Sequence, residues 1–330
     1  MESRTDGHHW GVARVWPDQG GNGHPGARLS AICGLAAILV MATAAAVEPN
    51  SAPDAANQPS TTDQATAGSE RWTWKDHLFD PDRAVGFYSG LAHTQPSTIT
   101  IDNKGEKVTV KDFNWIGKPF DNPIYYGVRI RRWNPGGWFG SMIDVNHAKA
   151  IADRQSEASL TGSHNGKPLP AKEKVGKVFS HLEFSNGHNM VTYNGLLKLG
   201  RILGVIRPYA GIGAGVSLPH TEVGFRGDKA RTYKYQFAGF AGQAIAGIEV
   251  DLGRAVLLFE YKFTYAPYDV PLSQAWKAPV MITDLWTQMS RWWRGVEPPG
   301  GRLTVDLATH HGIAGVMVKT ARPGAVVPLR

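Results

Sequence analysis

The stretch from Arg254 to Tyr265, R-A-V-L-L-F-E-Y-K-F-T-Y, restricts the fold of this chain more than any other. Read as a strand, it puts Ala255, Leu257, Phe259, Tyr261, Phe263 and Tyr265 on one face. Arg254, Val256, Leu258, Glu260, Lys262 and Thr264 fall on the other. One face is continuously apolar and ends in aromatics, while the opposite face mixes apolar residues with charge. An ordinary globular strand runs about 5–6 residues, whereas a tilted strand crossing a bilayer needs about 9–11. A membrane barrel therefore requires seven more segments of this kind.

The chain before residue 83 supplies none of them. Residues 1–27 are polar and Gly-rich without apolar periodicity. Arg28 then precedes an apolar run from Leu29 to Val40 and the small residues Ala42-Thr43-Ala44-Ala45-Ala46. That order predicts an export signal cleaved near Ala46, with an apolar core too short to span a bilayer as a helix. Its removal takes away Cys33, the one cysteine, so disulfides, thiolate metal sites and a cysteine nucleophile are excluded from the mature chain. Residues 47–82 begin with a run rich in Ala, Pro, Ser, Thr and Gln that cannot bury enough apolar surface to order itself, and read as a linker and periplasmic lead-in. The formal charge of +7 carries no basic run with interleaved aromatics, so it does not indicate a nucleic-acid partner.

Eight strand-like segments follow: 83–94, 123–133, 137–151, 187–199, 207–218, 233–252, 254–268 and 309–320. The connections between them alternate in length. Residues 95–122, 152–186, 219–232 and 269–308 are long; Asn134-Pro135-Gly136, 200–206 and Gly253 are short. An even strand count closes a sheet without edges, and long loops on one side with short turns on the other are the outer-membrane pattern. The expectation is an all-β, eight-stranded antiparallel transmembrane barrel over 83–320, with long extracellular loops and a C-terminal tail at 321–330. Parity assigns Ala210, Ile212, Ala214, Val216, Phe139, Ile143 and Val145 to lipid, and Tyr209, Gly211, Gly213, Gly215, Asp144 and Asn146 to the lumen. The G-I-G-A-G run at 211–215 is thus strand alternation and not a nucleotide loop, because no helix follows it. Arg129, Arg131, Asp144, Glu260, Lys262 and Glu249 become luminal charges, which in a narrow barrel pair with one another to fill the interior.

Histidines at 93, 147, 164, 181, 188, 220, 310 and 311 all map to long loops or to the loop-side ends of strands. Imidazole is the commonest metal ligand and titrates near neutrality, so this clustering marks the outer rim as the place for chemistry.

Six segments carry a family resemblance. They are W-I-G-K-P-F-D-N-P-I-Y-Y-G-V-R (115–129), I-D-V-N-H-A-K (143–149), E-F-S-N-G-H-N-M-V-T-Y-N (183–194), P-Y-A-G-I-G-A-G-V-S-L-P-H (208–220), Y-K-Y-Q-F-A-G (233–239) and F-E-Y-K-F-T-Y (259–265). Together, and in this order, they resemble the outer-membrane lipid A oxidase family of rhizobia and related bacteria. The resemblance implies a monomeric barrel in the bacterial outer membrane that acts on lipid A of lipopolysaccharide, oxidising its proximal glucosamine to 2-aminogluconate with O2 as acceptor. The sequence departs in its last strand, which ends Val318-Lys319-Thr320 without a terminal aromatic, and in the Trp-rich loop 269–308, which holds Trp276, Trp286, Trp292 and Trp293.

Oxidation of a hemiacetal carbon needs a base and a redox centre, and no flavin or nicotinamide fingerprint is present. With no thiolate either, a histidine-bound divalent metal at the outer rim is the available option, with His147, His188 and His220 as its ligands. Asp144, His147, His188 and Glu260 would be catalytic, and Lys262, Arg129 and Tyr193 would contact the substrate. The alternative is a non-catalytic barrel with a structural or adhesive role. A lipid A acyl hydrolase would need a Ser/His pair, and Ser217 and His220 are separated by Pro219 with no nucleophile elbow.

Overall fold

The structure, a computed structural model, describes residues 82–103, 105–135, 137–229, 231–272, 281–298 and 300–320. The expected signal, Cys33, the linker, Trp276 and the C-terminal tail lie outside the described residues.

β1 (Arg83–Thr94) is followed by β2 (Ser97–Asn103), β3 (Glu106–Phe113), the short β4 (Trp115–Ile116) and β5 (Tyr126–Trp133). β6 (Phe139–Ala152) leads to β7 (Glu157–His164), β8 (Lys167–Pro168), β9 (Lys172–Lys174) and one helical turn, α1 (Val175–Val178). Next come β10 (Phe179–Lys198), β11 (Ile206–Ser217), β12 (His220–Phe225), β13 (Thr232–Tyr235), β14 (Phe240–Leu252) and β15 (Ala255–Pro271). α2 (Met281–Trp293) precedes the last strand, β16 (Arg302–Lys319).

Eight of these strands form a ring in the order β1-β5-β6-β10-β11-β14-β15-β16, antiparallel throughout, and β16 returns to pair with β1 from Ala84↔Lys319 to Thr94↔Thr309. Closure leaves no unpaired edge in the ring, the condition for placing strands in hydrocarbon. No described helix is long and apolar enough to cross a membrane.

Alternation sets the two faces. On β15, Phe259, Tyr261 and Tyr265 are exposed outward, while Val256, Leu258, Glu260, Lys262 and Thr264 are buried. Leu91, Phe139, Tyr193, Ile212, Ile248 and Val316 continue the exposed apolar belt round the ring, with Ile212 74% exposed against 2% for the inward Arg129. A closed barrel that is apolar outside and charged inside is an outer-membrane barrel, because only lipid makes that arrangement favourable. The inward glycines make room for neighbours on the adjacent strand. A Cβ on Gly213 would fall 2.1 Å from Asn194 Oδ1, and one on Gly127 would fall 1.8 Å from the Tyr88 ring.

The strands run well beyond the belt. β10 has 20 residues, about 65 Å if extended and about 50 Å tall at a tilt near 40°, against a hydrocarbon core of about 30 Å. Its outer half, with the outer ends of β6, β15 and β16, meets β2, β3, β7 and β12 in an apolar core that includes Ile99, Val110, Phe113, Phe184, Tyr268 and Leu303. The long connections thus contain strands of their own where loops were expected. β10 begins at Phe179 and not at 187, and β16 at Arg302 and not at 309, because Leu182, Phe184, Leu303, Val305 and Leu307 keep alternating into this core. The expected single strand 233–252 is two, broken where Gly239 takes φ +101°. At the other end the connections are tight, with Leu203 and Gly204 at positive φ and Gly253 at φ +82°.

Phe259→Arg puts a cation on the lipid side of β15 and is expected to cost about 2–4 kcal/mol if the residue lies near the bilayer midplane. Cysteines placed at 257, 259 and 261 should react with bilayer-dissolved thiol reagents faster than those at 256, 258 and 260. The reverse order would invert the faces assigned to β15.

Candidate functional site

The lumen is filled by paired charge. Arg129 binds Glu260 through two bonds, Nη1 to Oε2 and Nη2 to Oε1, both 2.9 Å, and its Nε donates to Asp144 at 3.2 Å. Lys262 Nζ donates to Asp144 at 2.5 Å and to the Tyr88 hydroxyl at 2.7 Å, and Tyr209 donates to Glu260 at 2.6 Å. Two cations and two carboxylates thus cancel within one layer. Toward the short-turn end, Arg131 pairs with Glu249 at 2.9 Å and Lys319 with Asp251 at 2.6 Å. Toward the outside, His311 sits between the Tyr125 and Thr264 hydroxyls, both at 3.1 Å. Above this lies the apolar core of the outer lobe.

Asp144, Glu260, Lys262 and Arg129, expected to act on substrate, are therefore brought together, each 5% exposed or less, in ion pairs with one another. In this arrangement their first role is to satisfy each other. Tyr193 is on the opposite side of the wall, 61% exposed in the lipid belt.

The expected ligand set His147, His188 and His220 does not assemble. His147 follows the inward Asn146 and points outward, where it stacks on Tyr126 at 4.8 Å and bonds Asn189 at 2.7 Å through Nδ1. His188 points inward to the Tyr268 hydroxyl. The Nε2 atoms of both rings are buried without a hydrogen-bond partner, but they serve different sides of the sheet. The cause is alternation: His147 is one residue off the inward row Asp144, Asn146 and Ala148, while His188 lies opposite the inward Ala148, and the two-residue register shift between Phe184 and His188 leaves both faces as they were.

His220 is outward, edge-on to Tyr233 and Tyr235. Two residues further along the same face of β12, Glu222 meets a cluster that includes a histidine from the expected rim set, His181, and two carboxylates not foreseen. His181 Nδ1 lies 3.0 Å from Glu183 Oε1 and 3.3 Å from Glu222 Oε1. One ligand atom from each of the three lies within 4.8 Å of the others, and this is the sole such group among the described residues. An imidazole with two carboxylates suits a divalent first-row metal. Arg231 already bonds both partners, Nη1 to His181 Nε2 at 2.6 Å and to Glu222 at 2.7 Å. Burial pushes the Glu222 carboxyl above the usual carboxylate range, with Arg231 acting the other way. The sequence does hold a trace of this cluster: His181 and Glu183 are two apart, so a strand puts both on one face.

Beside the outer end of the belt, α2 packs over the lobe. Between them lies a cavity of about 180 Å³ lined by Lys234, Phe237, Asp269, Arg291, Trp292 and Arg302, among others. Lys234 pairs with Asp284 at 3.0 Å and Arg302 with Asp269 at 2.9 Å. Lys234 is also one residue from Tyr233, the cross-strand partner of Glu222, so the β12–β13 hairpin joins the cavity wall to the His/Glu cluster.

Glu260→Gln removes the charge that faces Arg129 and is expected to cost about 3–5 kcal/mol, read as a lower urea midpoint for the barrel in detergent. Replacing both partners, Arg129→Met with Glu260→Leu, should recover most of that loss. A Glu260→Gln barrel as stable as the parent would show that the pair is not what the lumen rests on.

No protein-family model and no curated protein matches this chain. Among solved structures it is similar to Neisserial surface protein A, with 10% sequence identity and a TM-score of 0.32, over 72% of this chain and 97% of that one.

Proposed function

We propose that this outer-membrane barrel is a lipid A-modifying oxidase that works at its outward face. The observation that carries the reading is the His181–Glu183–Glu222 group on the outward side of the lobe, on a barrel whose lumen charges are paired off. The ordered family resemblance supplies the substrate, the proximal glucosamine of lipid A, and the acceptor, O2. In the balanced reaction the C1 hydroxyl proton and the C1 hydrogen leave with two electrons, O2 becomes peroxide, and the lactone opens with water to 2-aminogluconate. Lipid A thereby gains one oxygen atom.

A divalent metal held by His181, Glu183 and Glu222 would supply the redox capacity that side chains lack. The protein's own part can be stated from its hydrogen bonds. His181 Nε2, facing an arginine donor at 2.6 Å, accepts, so Nδ1 carries the proton and donates to Glu183. Freeing Nδ1 as a ligand requires the proton to move to Nε2 and Arg231 to withdraw, which its 43% exposed side chain permits. Arg231 is then an internal cation competing for the site. In this reading His147 and His220, both buried, pack the wall beside the site, while Asp144, Glu260, Lys262 and Arg129 hold the barrel that presents it.

The network Arg231 makes also favours a second reading, a non-catalytic barrel with a structural or adhesive role, in which the cluster is an ion-pair latch between β10, β12 and Arg231. The two readings separate experimentally. For the oxidase, mass spectrometry of lipid A from cells carrying the chain should show the one-oxygen gain, and His181→Ala, Glu183→Gln and Glu222→Gln should each abolish it with strongly non-additive effects. Purified protein should retain a first-row metal, measured by elemental analysis, and Arg231→Gln should retain more. Folded, metal-supplied protein that yields neither 2-aminogluconate nor peroxide would leave the latch as the role of the cluster.

A further inference from the structure

The helix α2 has three faces, and only two of them are accounted for by protein and water. The first is pinned to the lobe: Phe237 N donates to Gln288 at 3.1 Å, Lys234 pairs with Asp284, and the Trp292 ring stands edge-on to Phe237 and Phe240, each at 5.5 Å. The second is polar and exposed, with Thr283, Thr287, Arg291 and Arg294. The third carries Ile282, Trp286 and Trp293, 57%, 67% and 74% exposed. At about 100° per residue these three fall within about 40° of one another, and roughly a third of a turn from Gln288 and Trp292.

What covers that third face follows from where the helix is fastened. Phe240 is the outermost residue of the outward row on β14 that continues through Ala244, Ile248 and Leu252, and it is itself half exposed in the lipid belt. Trp292 rests on it, so α2 lies against the outer end of the belt and its apolar stripe continues the belt outward. Two tryptophans with an isoleucine on one side and two arginines on the next face match a helix lying at a membrane interface, indoles at headgroup depth and guanidinium groups toward phosphates. We propose that α2 is an interfacial helix whose Ile282–Trp286–Trp293 face is seated in the outer leaflet. The chain then grips the membrane with one helix in the leaflet plane as well as with its barrel. This inference stands apart from the oxidase reading and holds equally for a structural barrel.

Spin labels test it in the full chain, with Cys33→Ser as background, reconstituted in vesicles of phosphatidylethanolamine, phosphatidylglycerol and lipopolysaccharide. Trp286→Cys and Trp293→Cys report the apolar face, Thr287→Cys and Arg291→Cys the polar face, and Phe259→Cys the barrel belt. Each labelled protein is first checked for the heat-dependent gel shift of a closed barrel. Oxygen, which concentrates in lipid, should relax the labels at 286 and 293 several-fold more than a water-soluble nickel chelate does, as at 259, and the order should reverse at 287 and 291. Nickel dominating at all four helix positions would place α2 in water and overturn the proposal. Exclusion of both reagents at 286 and 293 would overturn it too, by showing a protein surface, such as a second copy of this chain, on that face.

Discussion

The barrel depends on the Arg129 guanidinium finding two carboxylates. Arg129 comes from β5, Asp144 from the neighbouring β6 and Glu260 from β15, so one side chain ties an adjacent pair of strands to a third that pairs with neither. Moving such a group out of water costs several kcal/mol, and only a geometry that uses its donors repays it. The bidentate bond to Glu260 and the third bond to Asp144 do so, and Lys262 balances the second carboxylate. The space for this layer is made elsewhere. Gly127 leaves the wall open where the Tyr88 ring lies, and Tyr88 in turn lies 4.4 Å from both cations.

The luminal charges in this layer are taken up by one another, and the polar cluster that faces outward belongs to the lobe beyond it. Strands that overshoot the hydrocarbon provide that outward face, because the same alternation that points Phe184 and Leu182 into the lobe core points Glu183 and His181 away from it. The lobe core is apolar, so a cluster of charged groups is favoured on its outward side. Arg231 supplies the positive charge beside Glu222 in that cluster.

The faces of the barrel were legible in the sequence because parity depends on nothing but order. Alternation from Ala255 to Tyr265 puts each of these residues on the side where the structure has it, while Arg254, expected on the inward face, precedes the strand and is exposed. Ranges for β1, β6 and β11 were readable within two residues for the same reason. The strands inside long connections were not, since β2, β3 and β7 are short and take their order from packing on distant partners. The histidine site was misread at one residue. His147 and His188 sit one register step apart across β6 and β10, and alternation alone puts them on opposite faces, since His147 is odd in a strand whose even residues Asp144 and Asn146 face in. No periodicity in the sequence marks the bulge beside Gly187, because a shift of two residues changes the register and not the faces.

The absence of an aromatic at the end of β16 has a structural counterpart. The last residues close the ring through backbone pairing, with Lys319 opposite Ala84 and Val318 opposite Ala255. The Lys319 ammonium turns inward to Asp251, and the exposed Val316 and Val318 complete the belt. Closure therefore rests on ladder bonds and a buried ion pair at the seam, and exposed aromatics stand at both rims of the ring, Trp138 and Phe139 beside a short turn and Phe240 and Tyr265 at the outer end.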